Sequence, residues 1–213
     1  MVKFDLVFFD CDSTLSAIEG IDELAKRVGK DVSELTNAAM NGELPMEEVY
    51  RLRLESISPS KADFSWLGEE YIKHEVPNAK SVIKKLNENG VETHIISGGL
   101  LPAIIPFAKH LGIPNHQVHA VPYKPNNLEE TWAHPLARNG GKPKVIEQII
   151  LDKSYNPKRC ALIGDGISDF EAAKMIGTFI GFGGVITRNS VKDQTKQYIQ
   201  ANTLEPLLDV VLD

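Results

Sequence analysis

Residues 4–14, F-D-L-V-F-F-D-C-D-S-T, decide the fold. The run Phe4–Phe9 is short, rich in aromatic residues and almost entirely apolar, which predicts a strand buried on both faces of a parallel sheet. In open α/β sheets, ligands bind just beyond the carboxyl ends of the strands. Asp10 and Asp12 stand at that point, so the same stretch predicts a sheet and one wall of a site.

The chain after residue 75 alternates between strand-like and helix-like segments. Three further strand-like segments predict strands at Val91–Ile96, Cys160–Ile163 and Thr178–Phe182. Helical patterns that begin or end at Gly or Pro predict helices at Ala79–Asn89, Leu101–Leu111, Lys144–Lys153 and Asp169–Met175. This alternation predicts an α/β fold with an open, mostly parallel sheet.

Two regions break the alternation. Residues 16–74 contain no convincing strand, and their patterns predict helices at Gly20–Val28, Ser33–Asn41, Met46–Ser56 and Trp66–Lys73. We therefore expect a core of residues 1–15 and 75–213, with residues 16–74 forming a helical cap over the carboxyl ends of the strands. The stretch Val118–Gly140 contains several Pro and Asn residues and predicts a loop or a short hairpin.

Composition narrows the classes of function. With 213 residues, 42% of them hydrophobic and 24% charged, the chain is typical of one globular domain with a small insertion. The net charge of -6 and the absence of a basic segment interleaved with aromatic residues argue against nucleic acid as a partner. No apolar run reaches the roughly 18 residues of a membrane span, so no membrane partner is expected. Without a leader pattern, and with only Cys11 and Cys160, we expect a cytoplasmic protein without disulfides.

Polar groups follow three of the predicted strands. They are Asp10 and Asp12, then Ser97, Gly98 and Gly99, and then Asp165 with Asp169 four residues further on. Carboxylates that converge with a hydroxyl and backbone amides predict a divalent cation with oxygen ligands beside an anion pocket.

Asp10 and Asp12 are two residues apart in extended chain, so both side chains leave on the same side. Two like charges at this separation repel by about 4 kcal/mol at an effective dielectric of ~20, which favours a cation or a proton between them. A bound Mg²⁺ would leave one carboxylate free for acid and base chemistry. Taken singly, both residues are also typical of a turn.

Two other features admit more than one interpretation. The Gly98-Gly99 pair brings backbone close to an anion, although most such pairs are only turns. Lys142 precedes a helix and could bring a positive charge to a phosphate, although a single lysine in this position is usually solvated.

The sequence does not match several other catalytic, phosphate-binding and zinc-binding motifs. A cysteine-dependent phosphatase needs an arginine six residues after its nucleophile, and six residues after Cys11 stands Ala17. A phosphate-binding P-loop needs Ser or Thr after its lysine, where this chain has Pro143. His116 and His119 have no cysteine ligand nearby, which favours surface or packing roles over zinc binding.

Four segments occur in the order and spacing of a known family: D-C-D-S-T at 10–14, I-S-G-G at 96–99, G-G-K at 140–142 and G-D-G-I-S-D at 164–169. Together they resemble the motifs of the haloacid dehalogenase superfamily. Over nearly the whole chain the sequence is similar to the phosphoserine phosphatases of that superfamily. The segments that carry this similarity are E-G-I-D-E-L-A at 19–25, A-M-N-G-E-L-P-M at 39–46, the arginine of R-L-R-L at 51–54, and G-F-G-G-V-I-T-R-N-S-V-K at 181–192.

The resemblance implies a three-layer, Rossmann-like core with a helical cap inserted after the first strand. It also implies Mg²⁺-dependent hydrolysis of a phosphomonoester through an aspartyl-phosphate, with Asp10 as the nucleophile and Asp12 as the general acid and base. The implied metal ligands are Asp10, Asp12 and Asp165, with Asp169 in the shell around them. The implied substrate-binding residues are Glu19 for an ammonium, Arg53 for a carboxylate, Met46 in the cap, and Ser97, Gly98, Gly99 and Lys142 for the phosphoryl group.

The implied substrate is O-phosphoserine, hydrolysed to L-serine and phosphate in the last step of serine biosynthesis. Met46 and Leu100 replace phenylalanines that are common in the family, and residues 122–138 depart from its pattern. Hydrolysis of another small phosphate ester, or phosphoryl transfer to an alcohol, therefore stays open. A catalytically silent binding protein is disfavoured because Asp10, Asp12, Lys142 and Asp165 are all present.

Overall fold

A sheet of six parallel strands forms the centre of the computed structural model, which describes residues 3–32, 34–35 and 44–212. The strands are β1 (Leu6–Phe9), β2 (Glu92–Leu100), β3 (Val118–Val121), β4 (Cys160–Gly164), β5 (Thr178–Phe182) and β6 (Gln197–Ile199). Their spatial order is β3-β2-β1-β4-β5-β6, which is the doubly wound Rossmann order. The α/β fold predicted from the alternation of segments is thus confirmed.

The strand order reverses between β1 and β4, and a reversal of this kind opens a crevice at the carboxyl edge of the sheet. Phe9 is level with Ile95 of β2 on one side and with Ile163 of β4 on the other. All four residues of β1 are buried, as its apolar sequence predicts. The ends of β1, β2 and β4 therefore lie side by side, with β1 in the middle.

Strand predictions failed at β3 and β6 and at the end of β2. β3 pairs in parallel with β2, so the predicted loop or hairpin at Val118–Gly140 is wrong. β6 has an exposed Gln197 and only three residues, too few to show a periodicity. β2 extends to Leu100, so Ser97–Gly99 lie within the strand and not after it. The pairing of β2 with β3 is irregular at these residues.

Among the residues that the structure describes, three helices follow β1: α1 (Gly20–Arg27), α2 (Met46–Ile57) and α3 (Lys61–Lys73). The helix predicted at Ser33–Asn41 lies largely outside the described residues. α3 begins five residues earlier than predicted because Ser60 and Asp63 form a capping box. α1 packs against α2 and α3, and α3 packs against a helix that follows β2. The division into a core and a cap at residues 16–74 stays a prediction.

Seven helices complete the layers around the sheet. They are α4 (Ala79–Glu88), α5 (Leu101–Leu111), α6 (Leu128–Trp132), α7 (Gly141–Asp152), α8 (Ile167–Phe170), α9 (Asn189–Lys192) and α10 (Leu207–Leu212). α7 begins three residues before its predicted start, so Lys142 belongs to its first turn. α8 is shorter than predicted, and a 3-10 turn, Glu171–Lys174, follows it.

Within the described ranges, no helix combines the length and the apolar character that crossing a bilayer requires.

Candidate active site

Three buried carboxylates meet at the point where the strand order reverses. Asp10 follows β1, and Asp165 and Asp169 follow β4, with one oxygen of each within 4.8 Å of the others. The backbone N–H of Asp10 donates to the carbonyl of Ile163 at 3.0 Å, which extends the pairing of β1 and β4 into the site. Register and pairing thus bring carboxylates from two strands to one place.

Lys142 reaches this cluster from the first turn of α7. Its Nζ lies 2.7 Å from Oδ1 of Asp10 and 2.5 Å from Oδ1 of Asp169. Burial alone would lower the pKa of Lys142, but the two carboxylates outweigh burial and raise it well above its ordinary value. The buried ammonium therefore stays charged, and it holds the carboxylates of Asp10 and Asp169 in place.

The carboxylates of this cluster still outnumber the cationic side chains that contact them. Burial raises the pKa of Asp10, and the neighbouring charge of Asp169 adds to this effect. The pKa of Asp165 is raised for the same two reasons. The carboxylates oppose one another's ionisation. A divalent cation bound among them would stabilise their charged forms.

Arg188 is a site residue that the motif analysis did not select. Its Nε donates to Oδ2 of Asp165 at 2.8 Å, and a terminal nitrogen lies 3.6 Å from Oε1 of Glu19. Arg188 lies between β5 and α9, within the segment 181–192 that resembles the family. The family resemblance of that segment is the feature from which Arg188 could have been predicted. Its neighbouring residues in the sequence do not distinguish it from an ordinary surface arginine.

Asp12 contacts different groups from Asp10. Its Oδ1 accepts hydrogen bonds from the backbone N–H of Gly20 at 2.7 Å and from the hydroxyl of Tyr71 at 2.8 Å. A Cβ on residue 20 would lie 1.9 Å from that hydroxyl, so this close approach requires glycine. Burial raises the pKa of Asp12, although both hydrogen bonds oppose the rise.

The carboxylate of Asp12 therefore lies outside the cluster of Asp10, Asp165 and Asp169. The structure connects it instead to α1 and α3, and Tyr71 is a second site residue without a sequence signal. The role of Asp12 as a metal ligand stays a prediction.

Ser97, within β2, contacts Asp12. Its hydroxyl donates to Oδ2 of Asp12 at 3.4 Å and accepts from the N–H of Gly99 at 2.9 Å. The amide of Gly99 is thus engaged by Ser97, although the sequence predicts an amide free for an anion at this position. A Cβ on residue 98 would lie 3.3 Å from the carbonyl of Leu136, so backbone closely covers Gly98.

Glu19 stands at the N-terminus of α1, near Asp12. Its Oε1 accepts a hydrogen bond of 2.8 Å from the hydroxyl of Ser13, a buried residue with a left-handed φ of 55°. Burial raises the pKa of Glu19 to about 7, and the charge of Asp12 contributes to the rise. A cationic group brought beside Glu19 would favour its ionised form.

Arg53 and Met46 both lie on α2. A terminal nitrogen of Arg53 donates to Oδ1 of Asp22 on α1, a partner that the sequence analysis did not identify. Met46, at the start of the helix, is 37% exposed. The structure thus fixes Arg53 between two helices and leaves Met46 at the surface.

Comparisons with known proteins agree with this geometry. Residues 4–177 match the family described as haloacid dehalogenase-like hydrolase. Phosphoserine phosphatases of Rattus norvegicus and Homo sapiens are each 39% identical to this chain over 203 residues, covering 92% of it and 88% of their own length. A solved substrate-bound phosphoserine phosphatase complex is 25% identical with a TM-score of 0.75, and the alignment covers 98% of both chains.

Proposed function

The chain belongs to the haloacid dehalogenase-like hydrolases, and on this premise we propose that it is a phosphoserine phosphatase that uses Mg²⁺ and an aspartyl-phosphate intermediate. One observation carries the reaction type. Asp10 lies beside Lys142 and two further carboxylates, whereas the carboxylate of Asp12 lies outside that cluster and is bound by Gly20, Tyr71 and Ser97. The site therefore separates a carboxylate that can attack from one that can move a proton.

The carboxylates at the site fit a magnesium ion. Asp10, Asp165 and Asp169 offer oxygens within 4.8 Å of one another, and hard oxygen ligands are those that Mg²⁺ prefers. We assign the carboxylates of Asp10 and Asp165 as ligands, while Asp169 is engaged by Lys142 and by the N–H of Gly166. The carboxylate of Asp12 lies outside this cluster, so the geometry does not support it as the predicted third ligand. When bound, Mg²⁺ offsets the charge of the phosphate and of the carboxylate that attacks it.

In the first step, a carboxylate oxygen of Asp10 attacks phosphorus in line with the ester oxygen. The bond between phosphorus and the ester oxygen breaks, and the departing alkoxide takes a proton from Asp12. Lys142 holds Asp10 in place through its contact of 2.7 Å and lies where it can also bind an oxygen of the phosphoryl group.

In the second step, Asp12 takes a proton from water, and the water oxygen attacks the phosphorus of the aspartyl-phosphate. The acyl-phosphate bond breaks, which releases phosphate and restores the carboxylate of Asp10. Proton transfer by a positioned carboxyl group contributes about 10²–10⁴ in rate.

The substrate assignment rests on two charged residues and on the relatives. O-Phosphoserine carries an ammonium and a carboxylate on one carbon, and the proposal pairs the ammonium with Glu19 and the carboxylate with Arg53. Ser13 orients Glu19, and Asp22 orients Arg53. Asp22 engages one terminal nitrogen of the guanidinium, and Nε of Arg53 has no partner among the described residues.

Both cysteines of the chain, Cys11 and Cys160, are buried free thiols. This state suits a reducing compartment, and we place the enzyme in the cytoplasm.

Two esters make the substrate test specific. Ethanolamine phosphate lacks the carboxylate of O-phosphoserine, and 3-phosphoglycerate carries a hydroxyl in place of its ammonium. Phosphate release should be fastest from O-phosphoserine, slower from both others, and dependent on added Mg²⁺. Equal rates on the three esters would refute the substrate assignment, and full activity in the presence of a chelator would refute the metal assignment.

A further inference from the structure

α2 carries two buried hydrogen-bond donors that have no partner among the described residues. They are the hydroxyl of Tyr50 and Nε of Arg53. Tyr50 is 4% exposed, and its hydroxyl oxygen is fully buried. Buried polar groups of folded proteins nearly always have a partner, so an unpaired buried donor is available to a ligand group that comes within reach.

Both donors lie on the same side of α2, since residues three apart on a helix are neighbours. This helix packs against α1, α6 and the turn Pro135–Ala137. The same turn covers Gly98 at the end of β2, because the carbonyl of Leu136 approaches the backbone there. α2, the helix that carries Tyr50 and Arg53, therefore packs on the turn that covers the strand end with Ser97 and Gly98.

The charged groups that affect the pKa of Tyr50 are residues of the site, Arg53 and Asp12. Burial raises the pKa of its hydroxyl well above the ordinary value, Arg53 opposes the rise, and Asp12 contributes to it. The hydroxyl thus keeps its proton at neutral pH and is available as a donor. Beside Nε–H of Arg53, it forms a pair of donors that suits an anionic acceptor such as a carboxylate.

We propose that Tyr50 is a specificity-determining residue whose hydroxyl donates a hydrogen bond to the carboxylate of the substrate, beside Arg53. This inference rests on the proposed function and adds a second donor to the group that recognises the carboxylate. Glu19, an acceptor, serves the ammonium, so Tyr50 and Glu19 discriminate between different parts of the same substrate.

Tyr50→Phe tests this inference because it removes the hydroxyl and keeps the ring. The kcat/KM of the variant for O-phosphoserine should fall by roughly 10- to 100-fold, the effect of losing one hydrogen bond to a charged group. For ethanolamine phosphate, which has no carboxylate, it should fall by less than about threefold. The melting temperature without substrate should be unchanged or higher, since the hydroxyl has no partner to lose.

Tyr198→Phe is the matched control. Tyr198 lies on the edge strand β6, and its hydroxyl is also buried without a partner in the described part of the chain. This variant should keep the wild-type kcat/KM on both esters.

The outcomes separate this inference from the proposed function. If the wild-type enzyme prefers O-phosphoserine and Tyr50→Phe keeps that preference, or loses activity equally on both esters, the role of Tyr50 is refuted and the proposed function stands. If the wild-type enzyme shows no preference for O-phosphoserine over ethanolamine phosphate, both are refuted.

Discussion

Nζ of Lys142 lies 2.7 Å from Oδ1 of Asp10, with both side chains buried. The first turn of α7 and the end of β1 create this contact, which joins distant parts of the sequence. Burial opposes the ionisation of Asp10, and the ammonium of Lys142 is the nearest group that favours it. Lys142 therefore opposes the rise in the pKa of the proposed nucleophile, favours its ionised form and fixes its direction.

Asp10→Asn should abolish turnover, because an amide of nearly the same shape is a poor nucleophile. We expect phosphate release from O-phosphoserine to fall by at least about 10³-fold, as is common when a nucleophile is removed. Lys142 retains Asp169 as a partner in this variant, so circular dichroism and the melting temperature should stay close to wild type. A variant with substantial turnover would contradict the covalent mechanism.

Lys142→Met should destabilise the protein strongly in the absence of Mg²⁺. It removes the charge but keeps a long side chain, so Asp10 and Asp169 would face each other without their buried counter-ion. Breaking a buried pair in this way costs about 3–5 kcal/mol of the free energy of unfolding, which urea denaturation measures.

The double variant Asp10→Asn, Lys142→Met supplies the control for that prediction. It removes one of the uncompensated charges, so it should be more stable than Lys142→Met alone. Additive losses in the two single variants would show that Lys142 does not act through Asp10.

Residues directly after a buried strand were predictable from the sequence. The apolar runs that end at Phe9 and Ile163 place Asp10 and Asp165 at adjacent strand ends, whichever helices connect them. Lys142 needed the family motif as well, because a single lysine before a helix carries no signal of its own. The all-parallel pairing then follows from the helical connections.

The partners of these residues were not predictable, because long-range packing selects them. Tyr71 lies on α3, and nothing in its local sequence indicates that its hydroxyl meets Asp12. Arg188 reaches Asp165 from beyond β5 for the same reason. β3 escaped prediction because it has only four residues and lies within a stretch rich in Pro and Asn.

Asp165→Asn should raise the concentration of Mg²⁺ needed for half-maximal activity. Even residues around the ligands change metal affinity by about 10–100-fold, so losing a ligand charge should cost at least tenfold. Titration of Mg²⁺ by calorimetry gives a readout that does not depend on turnover. Asp209→Asn, the same change at an exposed position on α10, should leave the affinity for Mg²⁺ as it is in the wild type.

Glu19 should make the choice of substrate depend on pH. With its pKa raised to about 7, Glu19 loses its charge as the pH falls below 7 and then no longer pairs with an ammonium. The ratio of kcat/KM for O-phosphoserine to that for 3-phosphoglycerate should fall toward pH 6 by up to about tenfold per pH unit. In Glu19→Gln the ratio should be low and independent of pH between 6 and 8.

Stability gives an independent check on Glu19. Its pKa in the folded state lies above the ordinary value of 4.5, so between about pH 4.5 and pH 7 the folded protein binds a proton that the unfolded chain does not. This contribution to stability is present at low pH and is lost as the pH rises through 7. Glu19→Gln should therefore gain stability relative to wild type as the pH rises through that window. A constant difference in melting temperature between the two proteins would contradict the raised pKa.

Arg53→Lys should change the substrate preference although the positive charge remains. The side chain of Arg53 is 14% exposed and its guanidinium bonds Asp22, so it presents its remaining donors from a fixed position. A lysine ammonium cannot reproduce the forked contact with a carboxylate. The kcat/KM for O-phosphoserine should fall by roughly 10- to 100-fold, equivalent to about 1.5–3 kcal/mol for a charged hydrogen bond.

Ethanolamine phosphate again provides the comparison, since it keeps the ammonium and lacks the carboxylate. Its hydrolysis by Arg53→Lys should fall by less than about threefold if Arg53 acts on the substrate. Arg53 also joins α2 to α1 through Asp22, and loss of that support would reduce hydrolysis of both esters alike. Equal losses would therefore place Arg53 in the packing of the helices, and the carboxylate of the substrate would need another partner.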